Sequence, residues 1–167
     1  MIDSLTLANS ESLATLYGTV PPLDDFRLRS INVDWRGPTV TLRVDLTSFP
    51  AARPPEWEGA DIDTVQCHLQ FLAVEDLSLA QWNPPVRSAS FDAQPLGGER
   101  RIRVRVTGPE VDLGFTSNAS FLVGHVSAFK VAAGGTDGSH HLFSRKIDSL
   151  RHQTIPETDE KTFYGRL

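Results

Sequence analysis

The residues best suited to chemistry are five histidines and one cysteine, and their spacing supports little catalysis. Adjacent His140 and His141 lie in a Gly/Ser-rich stretch, but no cysteine or carboxylate stands at the spacing of a zinc site, so we predict no metal. His68 falls at an outward position of an alternating strand, which favours a solvated side chain over a general base. The remaining histidines are His125 and His152.

Motifs for nucleophilic catalysis and for cofactor binding are absent from the sequence. It contains no Gly-x-Ser-x-Gly elbow, no phosphate-binding loop and no dinucleotide fingerprint. Cys67 occupies an inward position between polar neighbours, as is typical of a small buried hydrophobic residue. Asp61 and Asp63 lie in a loop without a third acid at calcium-loop spacing. We therefore expect neither an enzyme nor a cofactor.

Two charge patterns indicate binding rather than catalysis. Between Pro54 and Leu79 the chain has no Lys or Arg but six acids, which are Glu56, Glu58, Asp61, Asp63, Glu75 and Asp76. A functional interpretation is a partner-binding loop on which the acids attract a basic protein and Trp57 anchors it; its residues are Glu56, Trp57, Glu58, Asp61 and Asp63.

The alternative interpretation is structural. In that case Trp57 folds back to cover the open sheet and the acids only solvate the loop. The opposite stripe of Arg101, Arg103 and Arg105 on one strand is open to the same two interpretations.

Length and composition are typical of one ordinary globular domain. The chain has 167 residues, 40% of them hydrophobic, and a net charge of −5, which disfavours nucleic acid as a partner. No stretch approaches the roughly 18 apolar residues of a membrane helix. A single cysteine and an N-terminus without a secretory signal predict a cytoplasmic location.

The hydrophobic period changes from helical to two-residue alternation near Phe26. Asn9–Tyr17 has the caps and the apolar face of one short helix, ended by Gly18. Asp25–Trp35 and Thr39–Thr47 then form a predicted antiparallel hairpin. The apolar parity flips near Ser30, which predicts a β-bulge.

Further alternating segments continue the β pattern. The expected strands are Val65–Phe71, Val74–Trp82, Val86–Ala93, Arg100–Thr107, Glu110–Thr116 and Ala119–Val131. The fold class is therefore mostly β, with antiparallel sheets folded as a sandwich or a strongly curled sheet and one short N-terminal helix. The side chains expected to face inward are Val40, Leu42, Val44, Val65, Leu69, Phe71 and Val104.

The predicted domain boundary follows Val131. Residues 1–131 form a single β-rich domain, and residues 132–167 form a poorly packed C-terminal extension with few branched apolar residues. Phe163 and Tyr164 of this extension could still dock locally.

The segment from Leu28 to Trp82 resembles the immunity protein 50 family. The resemblance rests on Leu28-Arg29-Ser30, Gly37-Pro38-Thr39-Val40-Thr41-Leu42-Arg43-Val44-Asp45-Leu46, Phe49-Pro50, Pro54-Pro55-Glu56-Trp57, Val65-Gln66, Leu69, Phe71, Val74, Leu77, Leu79 and Trp82. It implies a bacterial immunity protein that binds a cognate toxin and neutralises it by direct contact, with no catalytic residues. The shared residues are then fold residues, among which Trp35, Val40, Leu42, Phe71 and Trp82 face inward.

Two other functions remain open at this point. One is a generic β-sheet adaptor whose edge accepts a peptide strand. The other is a small enzyme whose site, built on His68 and nearby acids, is not evident from spacing.

Overall fold

The computed structural model describes residues 7–8, 13, 16–18, 23–50, 52–97, 100–137 and 140–143. Within them the chain forms a 3-10 turn at Pro55–Trp57 and ten strands. The strands are β1 (Leu7–Ala8), β2 (Phe26–Asp34), β3 (Thr39–Asp45), β4 (Thr64–Phe71), β5 (Glu75–Trp82), β6 (Val86–Leu96), β7 (Arg101–Gly108), β8 (Val111–Asn118), β9 (Phe121–Phe129) and β10 (Leu142–Phe143).

The strands join edge to edge into one sheet in the order β1-β9-β4-β3-β2-β6-β7-β8-β5, with β10 also paired to β9. Every described pairing is antiparallel except that of β1 with β9. The expected mostly β fold with antiparallel sheets is confirmed.

Two of the β-bulges determine which side chains of β2 and β9 face the core. Between Leu28 and Ser30, β2 advances two residues while β3 advances one, so the bulge predicted near Ser30 is confirmed. A second register shift lies where β4 pairs with β9, and there His125 has a positive φ of 51°. It changes the parity of β9, so that Val123 and Val126 both belong to the core.

Four phenylalanines join the two halves of the curled sheet, of which one contains β9, β4, β3 and β2 and the other contains β6, β7, β8 and β5. The Phe71 ring of β4 contacts the rings of Phe91, Phe115 and Phe121 at centroid distances of 5.8, 5.0 and 4.6 Å. These rings come from β6, β8 and β9, so the halves pack face to face around them. The seven side chains expected to face inward are all buried.

Three details differ from the sequence-based expectations. Trp35 was expected inside, but it lies in the β2–β3 turn and is 82% exposed. The exposure of Trp35 has a structural reason: β4 ends at Phe71, which pairs with Val40, so β4 does not extend as far as the turn. His68 and Gln66 were expected to face outward, yet both are buried.

The two ends of the chain are described only in part. Leu13, Leu16 and Tyr17 have helical backbone, and Gly18 follows with φ +79°, but the rest of the predicted helix Asn9–Tyr17 lies outside the described residues. The same holds for Phe163 and Tyr164 of the C-terminal extension. The described part of that extension crosses the second face of the sheet, the one opposite the hydrophobic core. Its Gly135 carbonyl accepts hydrogen bonds from Arg27 and Arg29 of β2, and β10 then pairs with β9, where Phe143 is buried.

Candidate functional site

The acidic loop, residues 54–63, links β3 to β4 and is held by its own backbone. Trp57 N–H donates to the Pro54 carbonyl at 2.9 Å, and Ala60 N–H donates to the Trp57 carbonyl at 3.2 Å. Adjacent prolines at 54 and 55 fix φ at the start of this turn. The loop therefore presents its side chains from a preformed backbone.

The five predicted partner-binding residues divide into two groups. Glu56, Glu58, Asp61 and Asp63 are exposed, whereas Trp57 is completely buried within the hydrophobic core. The Trp57 ring thus faces the protein and not a partner, as in the alternative interpretation of this residue. The loop therefore exposes four carboxylates, and the buried Trp57 ring fixes its backbone to the core.

Lys130 adjoins the loop from the end of β9. Its Nζ lies 3.3 Å from Asp63 and 3.7 Å from Asp61. The Val131 N–H and the Thr64 hydroxyl also donate to Asp63. Burial acts to raise the pKa of Asp63, but these hydrogen bonds and Lys130 hold it below its usual range. Glu56 and Glu58 have no such described partner, so the unbalanced charge concentrates on them.

The arginine stripe on β7 is matched by acceptors in its own sheet. Arg101 forms an ion pair with Glu75 at 3.2 Å, and Arg105 forms one with Asp112 at 3.2 Å. Arg103 donates to the Asp76 carbonyl at 3.1 Å. These contacts support the structural interpretation of the stripe.

The edge strand β5 is poorly suited to accepting a peptide strand. Leu77 and Leu79 are exposed on it, but its register against β8 breaks twice and Asp76 has a positive φ of 52°. Bulges of this kind twist an edge away from further pairing. The adaptor alternative therefore gains no support from this edge.

A buried polar cluster occupies the second face of β3, β4 and β9. Asp45 accepts hydrogen bonds from Arg29 Nη2 at 2.6 Å and from Gln66 Nε2 at 2.6 Å. The same Gln66 amide donates to Asp137 at 2.9 Å, and Arg43 lies 3.4 Å from Asp137. The cluster ties the segment after β9 to the sheet.

The charge of Asp137 is stabilised inside this cluster. Burial alone would raise its pKa, but the Gln66 hydrogen bond and the nearby Arg43 and Arg29 guanidinium groups lower it below the usual range. Asp137 is therefore ionised at neutral pH and holds the C-terminal segment as an anion.

His141 closes the cluster from the C-terminal side. Its Nδ1 lies 2.8 Å from the Ser127 hydroxyl, its Nε2 lies 2.8 Å from the Asp137 carbonyl, and its ring stacks on Phe129 at 4.5 Å. Burial lowers the pKa of His141, outweighing the opposing effect of Asp137 and Asp45, while Arg43 lowers it further. The imidazole is thus neutral at pH 7.

We predict that this histidine makes stability fall in mild acid. The unfolded chain binds a proton at His141 near pH 6.5, whereas the folded chain binds it only at lower pH, so the free energy of unfolding decreases as pH drops below about 6.5. Urea unfolding of wild type and His141→Gln at pH 7.5, 6.5 and 5.5 measures this. The variant should lose less stability over this range; equal losses would contradict the assignment to His141.

The sequence contains a sign of this second buried face that two-residue alternation does not reveal. Phe121-Leu122-Val123 and Ala128-Phe129 are unbroken apolar runs, and both parities of β9 are buried. Continuous apolar runs are typical of strands covered on both sides. Gln66 and His68 of β4, which pair with Ser127 and Gly124 of β9, are buried on the same strand pair.

Cys67 and His68, the two side chains considered for catalysis, are both completely buried. His68 and His125 are buried side by side with ring centroids 5.1 Å apart, and burial raises the pKa of Cys67 to about 12, so the thiol stays protonated. In the part of the chain that the structure describes, no three side chains of metal-ligating type come together.

A cleft of about 620 Å³ lies beside the polar cluster. Four arginines contribute to its wall, together with Pro84 to Val86 and the turn at residues 133–137; they are Arg27, Arg29, Arg43 and Arg87. Such a concentration of guanidinium groups stands out in a chain with a net charge of −5.

Comparison with known proteins places the chain in a family. Within the described residues, no helix has the length and apolar character needed to cross a membrane. The search found no matching relative among curated proteins and no matching solved structure. A family model described as Immunity protein 50 matches residues 9–120, which include β2 to β8 and the acidic loop. Because this match spans more than half of the 167 residues, the chain belongs to the immunity protein 50 family.

Proposed function

We propose that this protein neutralises a cognate bacterial toxin by binding it directly in the cytoplasm, without chemistry of its own. The observation that carries the proposal is the family match over residues 9–120. The buried, protonated Cys67 thiol and the enclosed histidine pair support binding over catalysis.

We further propose that the acidic loop forms part of the contact with the toxin. Its four carboxylates are exposed, and its backbone is fixed by prolines and by the buried Trp57, so little conformational entropy is lost on binding. The arginine stripe is a weaker candidate because its guanidinium groups already have acceptors within the sheet.

Charge reversal in the loop tests this proposal. Glu56→Lys, Glu58→Lys and Asp61→Lys together should slow association with the toxin encoded beside this gene by about tenfold or more at low ionic strength. The difference should shrink as salt rises past about 0.15 M, because exposed charges are then screened. Stopped-flow or surface plasmon resonance association rates measure it. Asp63 is left intact because it holds the Val131 N–H.

A matched control separates local from global charge. Reversal to lysine of three exposed acids elsewhere, Asp24, Asp76 and Asp92, changes the net charge by the same amount. It should slow association much less than the loop variant does. Equal slowing by both variants, or none by the loop variant while it stays folded, removes the loop from the interface. Failure of the wild type to bind or inhibit the toxin contradicts the function itself.

A further inference from the structure

Among the residues that the structure describes, the arginine cleft carries more positive charge than the carboxylates beside it balance. Arg29 pairs with Asp45, and Arg43 lies 3.4 Å from Asp137. Four guanidinium groups against these two carboxylates leave two positive charges. A phosphate group carries a charge of nearly −2 near neutral pH and would balance them.

The geometry also separates arginines that build the wall from arginines that remain available. Arg29 and Arg43 are largely buried in the polar cluster, and their ion pairs fix their side chains. Arg27 and Arg29 both donate through Nη1 to the Gly135 carbonyl, at the tight turn that lines the cleft. Among the described residues, Arg87 forms no hydrogen bond or ion pair, and Arg27 uses only Nη1.

The turn at residues 133–137 has a backbone that lets the Arg27 guanidinium approach closely. Gly135 has a positive φ of 81°, and its N–H donates to the Ala132 carbonyl at 2.8 Å. A Cβ at this position would lie 3.1 Å from Arg27 Nη1, so glycine leaves room for that guanidinium. The turn thereby holds Arg27 against the cleft wall.

We propose that this cleft binds the phosphate group of a small molecule, with Arg27 and Arg87 as the available ligands and Arg43 adding charge from the wall. The planar guanidinium fork matches two phosphate oxygens at once, which makes arginine a strong phosphate ligand. A volume of about 620 Å³ is within the usual range of small-molecule sites. This binding is independent of the toxin.

Calorimetric titration of the full chain with inorganic pyrophosphate at low salt tests the site. The combined variant Arg27→Gln and Arg87→Gln should bind pyrophosphate at least tenfold more weakly than wild type. Arg87→Gln alone changes no described contact within the protein, so its loss of affinity reports on the site even if the combined variant is less stable. The control is Arg36→Gln in the β2–β3 turn, roughly 23 Å or more from Arg27 along the strand.

Binding by Arg36→Gln should match wild type. The proposal is overturned if pyrophosphate does not bind the wild type, if Arg87→Gln binds it unchanged, or if Arg36→Gln weakens it as much. Malonate, a dicarboxylate of similar size, distinguishes the anion class. Malonate binding as tight as that of pyrophosphate would overturn the assignment to phosphate.

Discussion

Replacing Phe71 by alanine is expected to lower the free energy of unfolding by about 3–5 kcal/mol. The ring is fully buried and contacts three other phenylalanines, one from each of β6, β8 and β9. Its loss therefore leaves a cavity where the two halves of the sheet meet. For a domain of ordinary stability, about 5–15 kcal/mol, this change removes a large share of the total.

Urea unfolding followed by tryptophan fluorescence measures the Phe71→Ala effect. The control is Leu79→Ala on the exposed edge strand β5, which should change stability by only about 0.5 kcal/mol. A Phe71→Ala variant within about 1 kcal/mol of wild type would mean that the ring does not join the two halves. Lost stability in both variants to the same extent would mean that the edge strand belongs to the core.

The β2–β4 region shows what alternation can predict. Val40, Leu42 and Val44 pair with Phe71, Leu69 and Cys67, so the inward residues of adjacent strands lie opposite one another as expected. Even the bulge near Ser30 followed from a single change of parity, because an extra residue turns every later side chain to the other face. Such features depend on neighbours in sequence, which a single chain makes visible.

The second buried face was not predictable in the same way. Asp137 lies in a Gly/Ser-rich stretch without strand periodicity, yet it accepts a hydrogen bond from Gln66, 71 residues earlier. His141 likewise lies outside any alternating pattern, and it contacts Ser127 only because the chain crosses the sheet. Coverage by an irregular segment leaves no periodic pattern, so Gln66 and His68 resemble ordinary solvated positions.

For the acidic loop, the sequence predicted the exposed charge but did not decide whether Trp57 faces outward or toward the core. Exposed carboxylates follow directly from an acidic loop rich in proline. The place of Trp57 depends on whether the 3-10 turn at Pro55–Trp57 directs the ring toward the core, which composition does not determine. The structure directs it inward, so Glu56 and Glu58 point outward on either side of a structural tryptophan.

Asp45→Ala is expected to cost about 3–5 kcal/mol, because it leaves a buried cation without its partner. Asp45 is 5% exposed and accepts from Arg29 Nε and Nη2 at 2.9 and 2.6 Å through one oxygen. Its other oxygen accepts from Gln66 at 2.6 Å. Asp45→Asn keeps the shape and an acceptor oxygen but not the charge, so a smaller loss should follow.

A double-variant cycle with Arg29→Met and Asp45→Leu distinguishes the ion pair from simple packing. Removing both charges leaves no unpaired ion, so the double variant should be more stable than the sum of the two single losses predicts. Full recovery is not expected, because Arg29 also donates to the Gly135 carbonyl and Gln66 would keep only Asp137 as acceptor. Additive losses in urea unfolding would show that the two side chains are not coupled. The same experiment reports on the C-terminal segment. Gln66 donates to both Asp45 and Asp137, so removing the Asp45 carboxylate should also weaken the attachment of the segment that carries Asp137.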